Sequence, residues 1–146
     1  MNQSLALQSP VFVDASAWIA AANRRDGHHP EARAALEECF ARRIQLVTTN
    51  WTGYEALSFV KSRAGFELAA DLWALFTDPA AVHLVRLTDD IEEAALALFF
   101  RFRDKTWGVV DCASLVVMER LGCRHVLAYD RHIVEASRQY GFHVIP

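Results

Sequence analysis

Short apolar segments alternate with longer amphipathic segments along almost the whole chain, and this alternation limits the fold more than any other feature. The apolar segments VFV, IQLVTT, VHLVRL, HVLAY and FHVI each have the length of one strand. Segments of about ten or more residues with helical spacing of apolar positions lie between them. Strands that alternate with helices of this kind form βαβ units, in which the strands pair in parallel. The sequence therefore predicts an α/β fold with a five-stranded, mainly parallel sheet flanked by helices.

Apolar spacing and helix-stop residues give bounds for these elements. Asp78 and Pro79 end one predicted helix, and Gly122 ends another. Asn50 and either Thr88 or Asp89 are predicted caps of the helices that follow them. The helix at 66–76 is predicted to bury one face, which is formed by Ala69, Ala70, Trp73 and Phe76. The predicted strands cover 11–13, 44–49, 82–87, 125–129 and 142–145, and the predicted helices cover 15–25, 31–43, 50–63, 66–76, a segment that includes 91–98, 111–122 and 131–139.

Length and composition indicate one domain. The chain has 146 residues and is 53% hydrophobic, which is enough for one core and too little to expect two. We predict a single domain over 1–146, with its core at about 10–146. Three cysteines without a CxxC pair indicate free thiols in a reducing, cytoplasmic compartment. The segment MNQSLALQSP has neither a charged start nor a long apolar run, so we expect no export signal and no membrane span.

The charge of the chain limits how it could bind nucleic acid. The formal net charge is −3, so no overall basic excess attracts a polyanion. Local basic groups are candidate contacts to a nucleic-acid backbone, although each of them is more typical of a solvated helix face. They are Arg24 and Arg25, Arg42 and Arg43, Lys61 and Arg63, and Arg101, Arg103 and Lys105.

Four acidic residues occupy positions that could meet at one edge of the sheet. Asp14 directly follows VFV and Asp130 directly follows HVLAY, so both lie at the carboxyl end of a strand. Ligand sites of open parallel sheets lie at that edge, where the strand order reverses. Glu55 lies in the first turns of the helix after IQLVTT, and Asp111 opens a helix before the fourth strand. Each residue also has a simpler interpretation, because an Asp in such a position caps a helix and Glu55 could face solvent.

Convergence of these carboxylates would need a compensating charge. At a separation of roughly 4 Å and an effective dielectric constant near 20, each like-charged pair repels by about 4 kcal/mol. Either some of the acids are protonated or a cation is present. Carboxylate oxygens suit Mg²⁺ or Mn²⁺, whereas zinc favours Cys and His ligands, which show no convincing zinc spacing here. Magnesium sites commonly act on phosphates, so phosphodiester hydrolysis is the natural candidate reaction.

Several segments carry a family resemblance. In order and spacing, VFVDASAWIA, the Glu55 of TTNWTGYEAL, VVDCASLVVMERLG, LAYDRHI and the terminal GFHVIP resemble the PIN domain, and most closely the VapC-type toxins of bacterial toxin–antitoxin pairs. The likeness covers nearly the whole chain. One mild departure is Ala15, which stands where Thr is frequent in the family.

The resemblance implies a site and an activity. It implies an acidic pocket that binds Mg²⁺ or Mn²⁺ and is supported by Ser16 and Ser114. It also implies a metal-dependent endoribonuclease, usually a homodimer, which is inhibited by a small antitoxin whose C-terminal segment covers the active-site groove. The residues assigned to the acidic pocket, as catalytic residues and metal ligands, are Asp14, Glu55, Asp111 and Asp130.

A hypothesis for the roles of the acids follows. Asp14 and Asp111 hold the principal metal ion, and Glu55 and Asp130 complete the site directly or through water. Without these four acids the formal net charge changes from −3 to +1, so a metal-loaded pocket could meet RNA without net repulsion. The alternative is a PIN-like RNA-binding or scaffold protein that has lost catalysis. Retention of all four acids favours the enzyme.

Overall fold

A computed structural model describes residues 9–146 of the chain. The expectation about export and membrane signals in MNQSLALQSP falls mainly on residues 1–8, which lie outside the described residues. Within 9–146, no helix combines the length and the apolar character that a membrane crossing requires.

Twelve elements alternate along the described chain much as the sequence predicts. The strands are β1 (Val11–Val13), β2 (Leu46–Thr49), β3 (Val82–Val85), β4 (His125–Leu127) and β5 (His143–Ile145). The helices are α1 (Ala15–Ala22), α2 (His29–Ala41), α3 (Asn50–Ala64), α4 (Phe66–Phe76), α5 (Asp89–Arg101), α6 (Val109–Leu121) and α7 (Arg131–Gln139). The bounds of β1, α4 and α7 match the prediction, and the other four strands are shorter than predicted.

The five strands form one parallel sheet, which confirms the predicted fold class. Their order is β3-β2-β1-β4-β5, and every neighbouring pair is parallel. The chain builds outward from β1 through β2 to β3, and then returns to place β4 on the other side of β1. The strand order therefore reverses between β1 and β4, which is where a ligand crevice is expected in such a sheet.

The sheet divides the core into two layers because successive side chains of a strand point to opposite faces. Val11 and Val13 face a cluster that includes Trp18 and Phe76. Phe12, between them in β1, faces the other cluster, together with Val47, Val126, Met118 and Ile133. The three cysteines, Cys39, Cys112 and Cys123, are free and buried, as the sequence indicates.

Two predicted helix caps differ from the structure. The Thr49 side chain caps α3 by accepting a hydrogen bond from the Thr52 N–H at 3.0 Å, whereas Asn50 is the first helical residue. The Asn50 side chain instead accepts a hydrogen bond from the Leu87 N–H at 2.9 Å and ties α3 to the segment after β3. At α5 the cap is Thr88 and not Asp89.

The buried face of α4 also differs from the prediction. Ala69 and Phe76 are buried as predicted, but Ala70 is exposed and Trp73 retains 37% of its exposure. Leu72 is the third buried residue. This face is rotated toward the layer around Trp18, where the Phe76 ring packs edge-on against the Trp18 indole with centroids 5.0 Å apart.

A buried polar contact holds α1 against the sheet. The Trp18 indole N–H donates to Thr48 Oγ at 3.2 Å, and the Thr48 hydroxyl donates to the Val13 carbonyl at 3.0 Å. Trp18, Val13 and Thr48 are all fully buried. An unpaired buried donor costs more free energy than a typical hydrogen bond contributes, so this contact fixes the position of α1 over β1 and β2.

We predict that Thr48→Val destabilises the protein, although the side chain keeps its shape. The Trp18 N–H loses its acceptor in the core, and this should lower the free energy of unfolding by about 1–3 kcal/mol in urea denaturation. Ser137→Ala is the matched control, because Ser137 Oγ is buried and has no hydrogen-bond partner within residues 9–146. The control should leave stability unchanged or raise it. Equal losses in both variants would contradict the role of Thr48.

Candidate active site

Asp14 stands at the carboxyl end of β1 and begins α1. Its Oδ2 accepts hydrogen bonds from the Ser16 N–H at 3.1 Å and from the Ser16 hydroxyl at 2.6 Å. Its own N–H donates to the Leu127 carbonyl of β4 at 3.0 Å. Asp14 is only 6% exposed, so it is a buried carboxylate at the point where the strand order reverses.

Ser16 joins the ends of β1 and β4. Its oxygen accepts hydrogen bonds from the Tyr129 N–H at 2.9 Å and the Asp130 N–H at 3.2 Å, while its hydroxyl proton goes to Asp14. Asp130 in turn caps α7 by accepting from the His132 N–H at 2.8 Å. One hydroxyl therefore fixes Asp14 and the backbone of Asp130 relative to each other.

Asp111 reaches the same edge from α6, but it is not the cap of that helix. Gly108 is the N-cap, and Asp111 is the third helical residue, whose Oδ2 accepts from the Gly108 N–H at 2.9 Å. This is the reciprocal half of a capping box. The interpretation of Asp111 as the N-cap is thus wrong, because the cap lies three positions earlier, although the Asp111 carboxylate still stabilises the start of the helix.

Glu55 lies on α3 with an exposed side chain that makes no hydrogen bond to another described residue. Partial burial is the main cause that raises the pKa of Glu55, and the charges of Asp14, Asp111 and Asp130 raise it further. Glu55 is therefore close enough to the other three acids for their charges to act on it, and it is the one carboxylate of the four that accepts no hydrogen bond from residues 9–146.

The pKa values of Asp14 and Asp111 also indicate that the acids lie near one another. Burial raises the pKa of Asp14 against the hydrogen bonds from Ser16, and the charge of Asp130 adds to the increase. Burial raises the pKa of Asp111 to about 6; the Gly108 N–H and His132 lower it, while Asp14 and Asp130 raise it. Raised pKa values of several acids in one cleft are typical of functional sites.

The four carboxylates do not form a closed ligand cage. Within residues 9–146, no group of three or more His, Cys, Asp or Glu side chains is arranged closely enough to hold a metal ion as it stands. The acids therefore share one electrostatic field at the carboxyl edge of the sheet.

Hydroxyl groups behind the acids connect the two helices that carry Glu55 and Asp111. The Thr49 hydroxyl donates to Thr52 Oγ at 3.0 Å, and Thr52 Oγ lies 3.5 Å from Ser114 Oγ. The Ser114 hydroxyl donates to the Val110 carbonyl at 3.0 Å, so Thr52 is left to supply the proton between the two side chains. Ser114 thus lies behind the acidic edge and not among its carboxylates.

Sequence reasoning missed the two threonines of this chain of hydroxyls. Thr49 was assigned to the end of a strand, and Thr52 follows it on the buried side of α3. Thr52 lies three residues before Glu55, and Ser114 lies three residues after Asp111, so each is one helical turn from an acid. That spacing is a signal in the sequence, but it has meaning only once α3 and α6 are known to touch.

Comparisons with known proteins identify the family. The chain matches the model of the PIN domain over residues 11–139. It belongs to the PIN-domain family. The 23S rRNA-specific endonuclease VapC20 of Mycobacterium tuberculosis is 28% identical over 120 residues, which cover 82% of this chain and 88% of that protein. Ribonuclease VapC26 of the same organism is 29% identical over 148 aligned positions, which cover 93% of this chain and 100% of that protein.

The fold agrees with the family assignment. A crystal structure of Mycobacterium tuberculosis VapC20, described as a sarcin-ricin loop cleaving toxin, matches with a TM-score of 0.76 and 27% identity. The match covers 86% of this chain and 94% of that one. The predicted resemblance to the PIN domain and to VapC-type toxins is confirmed, and the relatives support a nuclease.

We predict that Asp111→Asn stabilises this PIN domain at neutral pH when no divalent metal is present. Because the pKa of Asp111 rises from 3.8 to about 6 on folding, ionisation costs stability increasingly as the pH rises through that window. Asparagine keeps an acceptor for the Gly108 N–H without the charge. The melting temperature in EDTA at pH 7 should rise by about 2–4 °C, and the gain should shrink toward pH 4.

Asp89→Asn, in the first turn of α5, is the matched control and should change stability by less than about 0.5 kcal/mol. If Asp111→Asn is less stable than the wild type at every pH, the capping bond outweighs the charge repulsion and the prediction is wrong.

We also predict that Ser16→Ala weakens the junction of β1 and β4. Two backbone N–H groups and Asp14 lose their shared partner, so the free energy of unfolding should fall by about 1–3 kcal/mol in urea. Ser58→Ala is the control, because the exposed Ser58 hydroxyl donates only to the Tyr54 carbonyl of the same helix, α3. The control should change the free energy of unfolding by less than about 0.5 kcal/mol. Similar effects of the two changes would show that the Ser16 bridge adds little.

Proposed function

We propose that this PIN-domain protein is a metal-dependent endoribonuclease and the toxin component of a toxin–antitoxin pair. The observation that carries the proposal is the convergence of Asp14, Glu55, Asp111 and Asp130 where the strand order reverses; burial, and after it the charges of neighbouring acids, raises the pKa values of Asp14, Glu55 and Asp111. The names of the VapC20 and VapC26 relatives support nuclease as the class of activity.

The chemistry of the acidic edge fits Mg²⁺ or Mn²⁺. Its donors are carboxylate oxygens, which these hard cations prefer. Burial, with a smaller contribution from the charges of neighbouring acids, disfavours the ionised carboxylates, and a divalent cation would favour them. Asp14 and Asp111 would hold the principal ion, with Glu55 and Asp130 completing the site directly or through water. When bound, such an ion would lower the pKa of its water and offset charge on the scissile phosphate.

Hydrogen bonds to one oxygen orient three of the four carboxylates. Asp14 Oδ2 is held by Ser16, Asp111 Oδ2 by the Gly108 N–H, and Asp130 Oδ1 by the His132 N–H. Each of these hydrogen bonds goes to one oxygen of its carboxylate. Capping and metal binding are therefore compatible roles, since one oxygen orients the group and the other is left for the ligand.

RNA is the proposed substrate. VapC20 is named for its action on 23S rRNA, which makes ribosomal RNA the first substrate to test with this chain. Outside the four acids the formal net charge of the chain is +1, so RNA would not meet net repulsion once the acids are neutralised.

The proposed partners follow from the same family. We propose that the chain forms a homodimer and that a small antitoxin covers the acidic groove with its C-terminal segment. The three buried free thiols suit a reducing compartment, which supports action in the cytoplasm.

The central prediction concerns cleavage of total RNA by purified, antitoxin-free protein. We expect Mg²⁺ to support endonucleolytic fragments and EDTA to abolish them. Asp111→Asn should lower the rate roughly 100-fold or more, because loss of a ligand exceeds the 10–100-fold effect of losing a group that merely orients one. Mg²⁺ should also raise the melting temperature of the wild type and leave that of Asp111→Asn nearly unchanged.

Equal RNA stability with Mg²⁺, with EDTA and with Asp111→Asn would instead favour an RNA-binding or scaffold protein without catalysis. Expression in bacteria tests the toxin role separately. Growth arrest that Asp111→Asn relieves is the expected result, and arrest by both forms would count against a nuclease as its cause.

A further inference from the structure

A second concavity lies beside the acidic edge, along α7. Its volume is about 500 Å³, and residues of α7 together with one residue of the loop before α6 line it. We call it the α7 concavity. Its lining residues are Thr106, Arg131, His132, Val134, Glu135 and Arg138.

The α7 concavity adjoins the proposed catalytic acids. Arg131 directly follows Asp130, and the His132 N–H donates to Asp130 Oδ1 at 2.8 Å. His132 also lies near enough to Asp111 for its charge to affect that carboxylate. The concavity therefore begins at the residues directly after Asp130, the acid that caps α7.

Two contacts hold the wall of the concavity in place. The Trp107 indole N–H donates to Glu135 Oε1 at 2.7 Å, and Thr106 Oγ lies 3.2 Å from His132 Nδ1. Trp107 is only 4% exposed, so it anchors the loop to α7 from the core. These contacts fix the positions of the residues that line the concavity.

The charge on this surface suits an extended polyanion. Arg131 and Arg138 are seven residues apart and exposed, so they lie on one face of α7 about 10 Å from each other along the helix. Neither guanidinium has a carboxylate partner within 4.0 Å among residues 9–146. The single lining acid, Glu135, is engaged by Trp107.

A concavity of similar volume at the opposite edge of the sheet has the opposite character. It measures about 540 Å³ and is lined by Glu31, Glu38 and Arg42, near the start of β1 and β4. There the Arg42 guanidinium pairs with the Glu38 carboxylate at 3.1 Å. Both concavities therefore contain arginine. Of the two, the α7 concavity is the one whose arginines have no carboxylate partner in the described part of the chain and lie next to the acids.

We propose that the α7 concavity binds the phosphate backbone of the RNA strand as it leaves the acidic site, with Arg131 and Arg138 contacting phosphates next to the scissile one. This proposal rests on the proposed endoribonuclease function. The two arginines would hold the substrate without taking part in the chemical step, so they are positioning residues.

The test compares the double variant Arg131→Gln/Arg138→Gln with the control Arg42→Gln/Arg124→Gln. Each variant removes two exposed arginine charges, but the residues of the control lie at the opposite edge, beside the starts of β2 and β4. Single-turnover cleavage at increasing protein concentration separates the half-saturating concentration from the maximal rate. The double variant should raise the half-saturating concentration on the order of tenfold, as loss of two phosphate contacts predicts, and leave the maximal rate within about twofold. The control should match the wild type in both.

Binding by the inactive Asp111→Asn protein supplies a readout that does not depend on cleavage. The slope of log affinity against log salt should become shallower by about 0.7 for each phosphate contact that is lost. Inorganic phosphate at matched ionic strength should leave RNA binding nearly unchanged, because the arginines are spaced for an extended strand. Complete displacement by inorganic phosphate would overturn the proposed strand contact.

The outcomes separate this proposal from the function on which it rests. If the wild type cleaves RNA and the double variant has unchanged half-saturation and salt slope, the subsite is wrong and the nuclease stands. The same conclusion follows if the double variant weakens binding of poly-L-glutamate, as a stand-in for an acidic protein segment, but not of RNA. If no Mg²⁺-dependent cleavage occurs, the nuclease proposal fails, and the binding experiment still decides whether the arginines contact RNA.

Discussion

The Ser16 hydroxyl is the contact on which the acidic edge depends most. The strand order reverses between β1 and β4, and the ladder between these two strands ends with the bond from the Asp14 N–H to the Leu127 carbonyl. The position of the residues that follow Leu127 relative to Asp14 therefore depends on contacts beyond the sheet. Ser16 provides such contacts by donating to Asp14 while accepting from the N–H groups of Tyr129 and Asp130. A group with one proton and two lone pairs is needed for this, which alanine or valine could not replace.

The ionised acids lower the free energy of unfolding when no cation is bound. Burial and mutual repulsion raise the pKa values of Asp14, Glu55 and Asp111, so each ionised form is less favourable in the folded protein than in the unfolded chain. Hydrogen bonds to single oxygens of Asp14 and Asp111 offset part of this cost and also set the direction of each carboxylate. A site without these bonds would be more strained and less ordered.

The sequence predicts the sheet, most helix positions and the edge at which the acids lie, because these depend on local periodicity and on parallel topology. It does not decide between caps of similar strength. Thr49 and Asn50 are both good N-caps, and the choice is made by the Leu87 N–H, which lies 37 positions further along and binds Asn50. Likewise, helical spacing allows α4 to bury Trp73 or Leu72, and packing against α3 and β3 selects Leu72. Such choices depend on tertiary neighbours.

Neutral and charged groups have separate tasks around the acids. The hydroxyls of Thr49, Thr52 and Ser114 link α3 to α6 behind the carboxylates, where a charged link would alter the field that a cation is expected to meet. Beside the acids, α7 carries two arginines without a carboxylate partner among residues 9–146, and their charge can attract a polyanion. A phosphate substrate needs both acids that hold a cation and basic groups that attract it. Three of the acids lie on or next to β1, α3 and α6, whereas the fourth, Asp130, caps α7, which also carries both arginines. Acidic and basic groups therefore meet at the start of α7, just after the strand at which the strand order reverses.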